Sequence, residues 1–202
     1  MLYDTKFLNA RRLDRRVLLQ GGAAALAGGA LTFAAPALAQ WPSIGATPKQ
    51  VADPDLLYVP TPDDVVDKML EMAKVGKDDL LIDLGSGDGR IPIRAAQKFG
   101  IKARGVDLIE ERVAISRDNA KKVGVENLAT FEQGDATQVK IDDATVITTY
   151  LFSHVLMRLR PRFEKELKSG TRIVSHEFTM GDWKPVESAR VGKANVHLWI
   201  VK

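Results

Sequence analysis

The stretch Asp83-Leu84-Gly85-Ser86-Gly87-Asp88-Gly89-Arg90 constrains this chain more than any other. It follows the apolar run Leu80-Leu81-Ile82 and opens a segment, Arg90 to Phe99, whose apolar residues recur at helical spacing. A strand that turns through glycines into a helix begins a βαβ unit, and such units build parallel sheets. Glycines there let the backbone bend sharply and approach a ligand, while the helix that follows presents free N–H groups. Asp107 stands 22 residues after Gly85, at the end of the next apolar run. A carboxylate at that place accepts hydrogen bonds from both hydroxyls of a ribose. The G-x-G-x-x-G pattern of dinucleotide sites needs glycine at position 90, where this chain has Arg90. No Gly-Lys-Ser/Thr follows the loop, which excludes a phosphate-loop NTPase.

The rest of the chain continues the alternation. Thr61 is placed to cap a helix with Pro62 in its first turn, Asp63 and Asp64 at its positive end, and Gly76 as its stop. Strands are predicted over Leu80 to Leu84, Ala103 to Asp107, Ala129 to Gln133, the β-branched Ala144 to Tyr150, and Thr171 to His176. Helices are predicted over Arg90 to Phe99, Glu110 to Val123, and Ser153 to Ser169 with an interruption near Pro161. From Pro185 to Val201 the pattern predicts a terminal hairpin. The fold class is therefore α/β, a doubly wound and mainly parallel sheet with ligands expected beyond the C-terminal strand ends.

The acid-opened G-x-G-x-G loop resembles motif I of the class I S-adenosylmethionine (SAM) methyltransferases, and the terminal hairpin resembles theirs too. The resemblance implies a Rossmann-like seven-stranded sheet over residues 58–202, with a C-terminal antiparallel hairpin. It implies SAM as cofactor, with Asp83, Gly85, Ser86, Gly87, Asp88 and Gly89 around its amino-acid moiety. It places Asp107 at the ribose and Asp135 with Ala136 beside the adenine. Thr149-Tyr150-Leu151-Phe152 then ends the fourth strand at the methyl-transfer centre, which makes Tyr150 and Phe152 the catalytic candidates. Read from the residues alone, other roles stay open: a plain strand–helix turn for the glycines, caps for Asp107 and Asp135, a core position for Tyr150.

Tyr58-Val59-Pro60-Thr61-Pro62, Val174-Ser175-His176-Glu177-Phe178 and Trp183-Lys184-Pro185 resemble, more narrowly, the protein-lysine methyltransferases acting on the ATP synthase c subunit and their bacterial relatives. That likeness implies that the segment before the first helix closes the SAM site. Thr61 becomes a cofactor-binding candidate and Tyr58 a substrate-binding one. The fourth-strand motif lacks Asn-Pro-Pro-Tyr, which counts against methylation of flat base or glutamine amides. A lysine of an acceptor protein is the expected nucleophile. A small-molecule O- or N-methyltransferase and an exported ligand-binding protein without turnover share the same motifs. His154, His176 and His197 lack metal-ligand spacing, so structural roles and no metal are expected. The basic run Arg158, Arg160, Arg162, Lys165 and Lys168 reads as a solvated helix face.

Residues 1–39 read as an export leader. Arg15-Arg16 precedes Val17-Leu18-Leu19-Gln20 and a Gly/Ala-rich apolar stretch, and Ala37-Leu38-Ala39 predicts cleavage before Gln40. The order resembles a twin-arginine (Tat) signal, implying contact with that export machinery and a periplasmic destination; the alternative is a membrane tether left uncleaved. No later stretch has the length and apolarity of a membrane span. Residues 40–57, punctuated by Pro42, Gly45, Pro48 and Pro54, read as an arm. The leader also accounts for the basic pI. Of 29 Lys and Arg and 26 Asp and Glu, five and two lie in residues 1–39, leaving 24 of each. The formally neutral remainder gives no electrostatic reason to expect a nucleic-acid partner. The chain has no Cys, which excludes disulfides and thiolate chemistry.

Overall fold

The computed structural model describes residues 57–202; the predicted leader and all but the last residue of the arm lie outside the described residues. Seven strands form one sheet in the order β3-β2-β1-β4-β5-β7-β6. The strands are β1 (Leu80–Leu84), β2 (Lys102–Asp107), β3 (Ala129–Gln133), β4 (Val146–Thr149), β5 (Arg172–His176), β6 (Glu187–Val191) and β7 (Ala194–Ile200). The helices are α1 (Asp63–Met72), α2 (Arg90–Phe99), α3 (Glu110–Lys122) and α4 (Ser153–Glu166). β1 to β5 pair in parallel, whereas β7 pairs antiparallel with both β5 and β6. The predicted Rossmann-like sheet and its terminal hairpin are what the chain forms.

The register explains why both faces of the sheet are apolar. Ile82, Ile147, Ile173 and Trp199 lie side by side across four strands and are all fully buried. They pack with Leu156, Leu159 and Phe163 of α4. On the other face Leu81, Val146 and Val174 join Val65, Met69 and Leu70 of α1. Strands buried on both sides open on apolar runs, Leu80-Leu81-Ile82 in β1 and Val146-Ile147 in β4, and carry the buried Asp83, Thr148 and Thr149 toward their C-terminal ends.

Four local expectations need correction. Thr61 does not cap α1: Pro62 holds that place without a side-chain cap, and the Thr61 hydroxyl turns to His176 instead. α1 stops before Gly76, because Val75 folds back into the core and the left-handed turn falls at Lys74, φ 48°. α4 runs through Pro161 without a break and ends at Glu166. Pro161 has no N–H to offer the Met157 carbonyl one turn earlier, and both residues lie on the exposed side of the helix, where the missing hydrogen bond costs least. β4 is shorter than predicted at both ends, with Ala144 and Thr145 before it and Tyr150 after it outside the strand.

Candidate active site

The order of the strands reverses between β1 and β4, the place where open α/β sheets bind ligands. Residues from the C-terminal ends of β1, β2, β3 and β4 line one cavity of about 400 Å³ there. Thr61, Asp83, Gly85, Ser86, Asp88, Asp107, Asp135, Ala136, Tyr58, Tyr150 and Phe152 all line it. Gly87 and Gly89 do not. Gly89 adopts φ 81° at the N-terminus of α2, and Gly87 lies under the ring of Tyr58.

The glycine loop is held by polar groups that surround it. Asp107, 4% exposed, accepts from Gly87 N at 2.9 Å and from Ile109 N at 3.0 Å, with Arg112 at 3.7 Å. Burial raises its pKa, and those two N–H groups oppose the shift. Ser116 Oγ donates to Gly87 O at 2.8 Å, and Asn119 Nδ2 to Asp88 O at 3.0 Å. Arg112, Ser116 and Asn119 are all buried on one face of α3. The sequence reading missed them, although polar residues at i, i+4 and i+7 inside a helix's buried face are the signal that finds them. A Cβ on Gly87, at φ 57°, would meet the Tyr58 ring at 2.3 Å; one on Gly85 would meet Leu151 at 2.8 Å. Gly87 is thus required by its approach to the segment before α1, and Gly85 by its left-handed backbone, φ 80°, since the Leu151 methyl it would meet is the end of a flexible side chain.

Asp88 lies just before the N-terminus of α2. Its Oδ1 accepts from Arg90 N at 3.2 Å and Arg90 Nε at 3.0 Å, and its Oδ2 from Arg90 Nη2 at 2.6 Å. An ion pair of the buried Asp88 with Arg90 thus stands at the N-terminus of α2, where a dinucleotide-binding loop would present glycine in place of Arg90. Asp83 is fully desolvated, and burial pushes its carboxyl up to about 7 against the hydrogen bond from Thr148 Oγ1 at 2.7 Å. Asp135 does cap the turn after β3: its Oδ1 accepts from Thr137 N and Thr137 Oγ1, each at 2.8 Å. The Thr137 N–H holds its pKa below the usual range.

A second part of the lining is aromatic. Phe178 faces Tyr150 at 6.0 Å and Phe152 at 5.3 Å between ring centroids, and Phe152 faces His154 at 6.0 Å. All four line the cavity. Tyr58 sits apart from them, 8% exposed, with Arg112 over its ring at 5.4 Å. Its ring packs on the glycine loop, over Gly87. Burial, then the Asp88 carboxylate, raises the Tyr58 phenol. Of the basic run, Arg158 lines the cavity, while Arg162 ties to Glu166 and to Val139 O, and Arg160 to Glu164.

The profile of the ANTKMT methyltransferase domain matches residues 83–187, which run from Asp83 to the start of β6. This chain belongs to that family. It is 46% identical to a protein-lysine N-methyltransferase of Saccharolobus islandicus over 73% of this chain and 95% of that protein. The human ATP synthase c-subunit lysine N-methyltransferase is 31% identical over 64% of this chain and 55% of its own length. A solved structure, an RNA methyltransferase of Salinibacter ruber with bound S-adenosyl-L-homocysteine (SAH), is 45% identical and superposes with a TM-score of 0.70. The match covers 71% of this chain and 94% of that one.

The chain is a SAM-dependent methyltransferase, and the cavity fits that cofactor. The Asp107 oxygens accept one backbone N–H each and keep lone pairs for a diol. The buried Ser86 hydroxyl has no hydrogen-bond partner among the described residues. Asp83, Asp88, Asp107 and Asp135 all line the cavity, with Arg90 beside Asp88, Arg112 beside Asp107 and Arg158 near Asp135.

Proposed function

We propose that this enzyme transfers the methyl group to the amine of a protein lysine, entering between Tyr150 and Phe152. Asp107 receives the ribose, the loop from Asp83 to Gly89 the amino-acid end, and Asp135 with Ala136 the adenine side. When bound, SAM supplies an electrophilic methyl on a positive sulfur. The residues of the chain align the nucleophile with it, and alignment supplies much of the barrier reduction. A lysine must arrive neutral, which at pH 7 costs roughly 5 kcal/mol from its reference pKa. An aromatic channel lowers that cost by disfavouring the ammonium. Burial raises the Tyr150 phenol and lowers the His176 imidazole, so both stay uncharged at neutral pH. The observation that carries the reading is the ring group of Tyr150, Phe152, His154 and Phe178 gathered at the end of β4.

The likeness to a structure called an RNA methyltransferase favours a second acceptor, RNA. One experiment separates them: the full chain is incubated with methyl-labelled SAM and either poly-L-lysine or total RNA. Label in poly-L-lysine, recovered as methyl-lysine by mass spectrometry, is expected. Label in RNA alone would overturn the lysine reading.

The leader supports a further reading, export by the Tat route to the periplasm, with residues 40–202 as the mature enzyme. Arg15-Arg16, the weakly apolar Gly/Ala stretch and Ala37-Leu38-Ala39 carry it. Replacing both Arg15 and Arg16 by Lys is expected to leave the protein in the cytoplasm; unchanged export would refute it.

A further inference from the structure

One buried side chain joins the two walls of the cavity. His176, the last residue of β5, is 4% exposed. Its ring lies 3.8 Å from that of Tyr150, centroid to centroid. Its Nδ1 shares a hydrogen bond with Thr61 Oγ1 at 3.2 Å. Thr61, also 4% exposed, ends the strap of residues 57–61 that lines the cavity ahead of α1.

That strap is fastened at three points. The Tyr58 ring covers Gly87. The Thr61 carbonyl accepts from Arg90 Nη1 at 2.8 Å, and Arg90 is gripped by Asp88 of the glycine loop. The third point, the Thr61 hydroxyl, leads away from the loop to His176 and so to the aromatic wall. The far side of His176 is fixed as well. Glu177 takes the left-handed conformation, φ 66°, which a non-glycine residue holds only when its surroundings impose it. Here Glu177 N donates to Asn195 O at 2.7 Å, and the Glu177 carboxylate accepts from Asn195 N at 2.9 Å and Asn195 Nδ2 at 3.0 Å. β7 therefore pins the turn that carries both His176 and Phe178 against Tyr150.

We propose that His176 is a positioning residue: it fixes the Tyr150 ring and, through Thr61, couples closure of the strap over the cofactor to the ordering of the acceptor wall. The inference rests on the reading of Tyr150 as part of the acceptor channel. A buried hydrogen bond of this kind costs more to halve than to form, because the remaining partner stays desolvated.

The test uses the full chain with Thr61→Val, Thr61→Ser, His176→Phe and the Thr61→Val/His176→Phe double variant. SAH is the binding probe, and poly-L-lysine with labelled SAM is the turnover probe. Thr61→Val and His176→Phe are each expected to weaken SAH about 10-fold, mainly through faster dissociation. Thr61→Ser is expected to stay within about twofold of the wild type, since it keeps the hydroxyl. The double variant is expected to be no worse than the weaker single, as coupled partners are. His176→Phe is expected to lower kcat on poly-L-lysine. Unchanged SAH dissociation in the folded single variants would overturn the proposal, and so would additive losses of about 100-fold in the double, which mean separate contacts. Should His176→Phe not fold, Thr61→Val decides, because it keeps the side-chain shape. A wild type that binds SAH but leaves poly-L-lysine unmethylated would overturn the lysine acceptor, while the dissociation rates still judge the coupling.

Discussion

The glycine loop and the aromatic wall line one cavity and are built on different principles. The loop is held through its backbone groups: Gly87 N, Gly87 O and Asp88 O are taken by the buried side chains of Asp107, Ser116 and Asn119 in turn. Its chemistry follows from residue types at fixed spacing along one βαβ unit. The wall gathers Tyr150, Phe152 and His154 after β4 with His176 and Phe178 at the end of β5, which only the pairing of β4 with β5 brings together. A site made by local backbone is rigid and specific for one ligand; a site made by side chains from separate strands can change its occupant by substitution.

The largest expected effect falls on the loop. Asp107→Ala strips the acceptor from Gly87 N and Ile109 N and leaves Arg112 buried beside no carboxylate at that position, so SAH affinity is expected to fall more than about 100-fold. Calorimetric titration reads it; a loss under about fivefold would mean that the loop is not the cofactor's cradle. Gly87→Ala comes next, because its Cβ drives into Tyr58 at a φ that disfavours side chains. A loss of about 1–3 kcal/mol in urea unfolding is expected, with weaker SAH binding. If only stability changes, Tyr58 does not close the loop over the ligand.

Asp83 gives a pH test on the same side. Its folded pKa of about 7 lies above the usual carboxylate value, so the folded state holds the proton more tightly than the unfolded one. Its contribution to stability is present below about pH 4 and is lost as the pH rises toward 7. Asp83→Asn keeps an acceptor for Thr148 and is expected to flatten that decline; parallel melting curves from pH 4 to 8 would show whether it does. The smallest effect belongs to the wall. Tyr150→Phe keeps the ring and is expected to leave SAH affinity unchanged while lowering kcat on poly-L-lysine about three- to tenfold. An equal loss of SAH affinity would erase the distinction between the two walls.

The same contrast governs what could be read in advance. β1, α2, β3 and the hairpin follow from apolar runs and glycine stops, and the acids Asp83 and Asp107 follow from their distance to the glycines. His176 was legible only as a histidine without metal-ligand spacing, because its partners Thr61 and Tyr150 lie 115 and 26 positions away. Thr61 looked like a helix cap because Ser/Thr before Pro-Asp is a local signal, and a long-range hydrogen bond displaced it. Pro161 looked like a break because the proline rule is about backbone donors, and exposure on the solvent side relieved the cost. Arg112, Ser116 and Asn119 weakened the apolar face of α3 for the sake of the loop beneath it.

The most direct test of the account is a calorimetric titration of the wild-type chain with SAH. One-to-one binding with a Kd in the micromolar range is predicted, since the product carries the adenosine and amino-acid ends that the proposal assigns to the loop, Asp107 and Asp135. No heat at millimolar SAH would contradict it, and the cavity would then belong to a fold that had lost its cofactor.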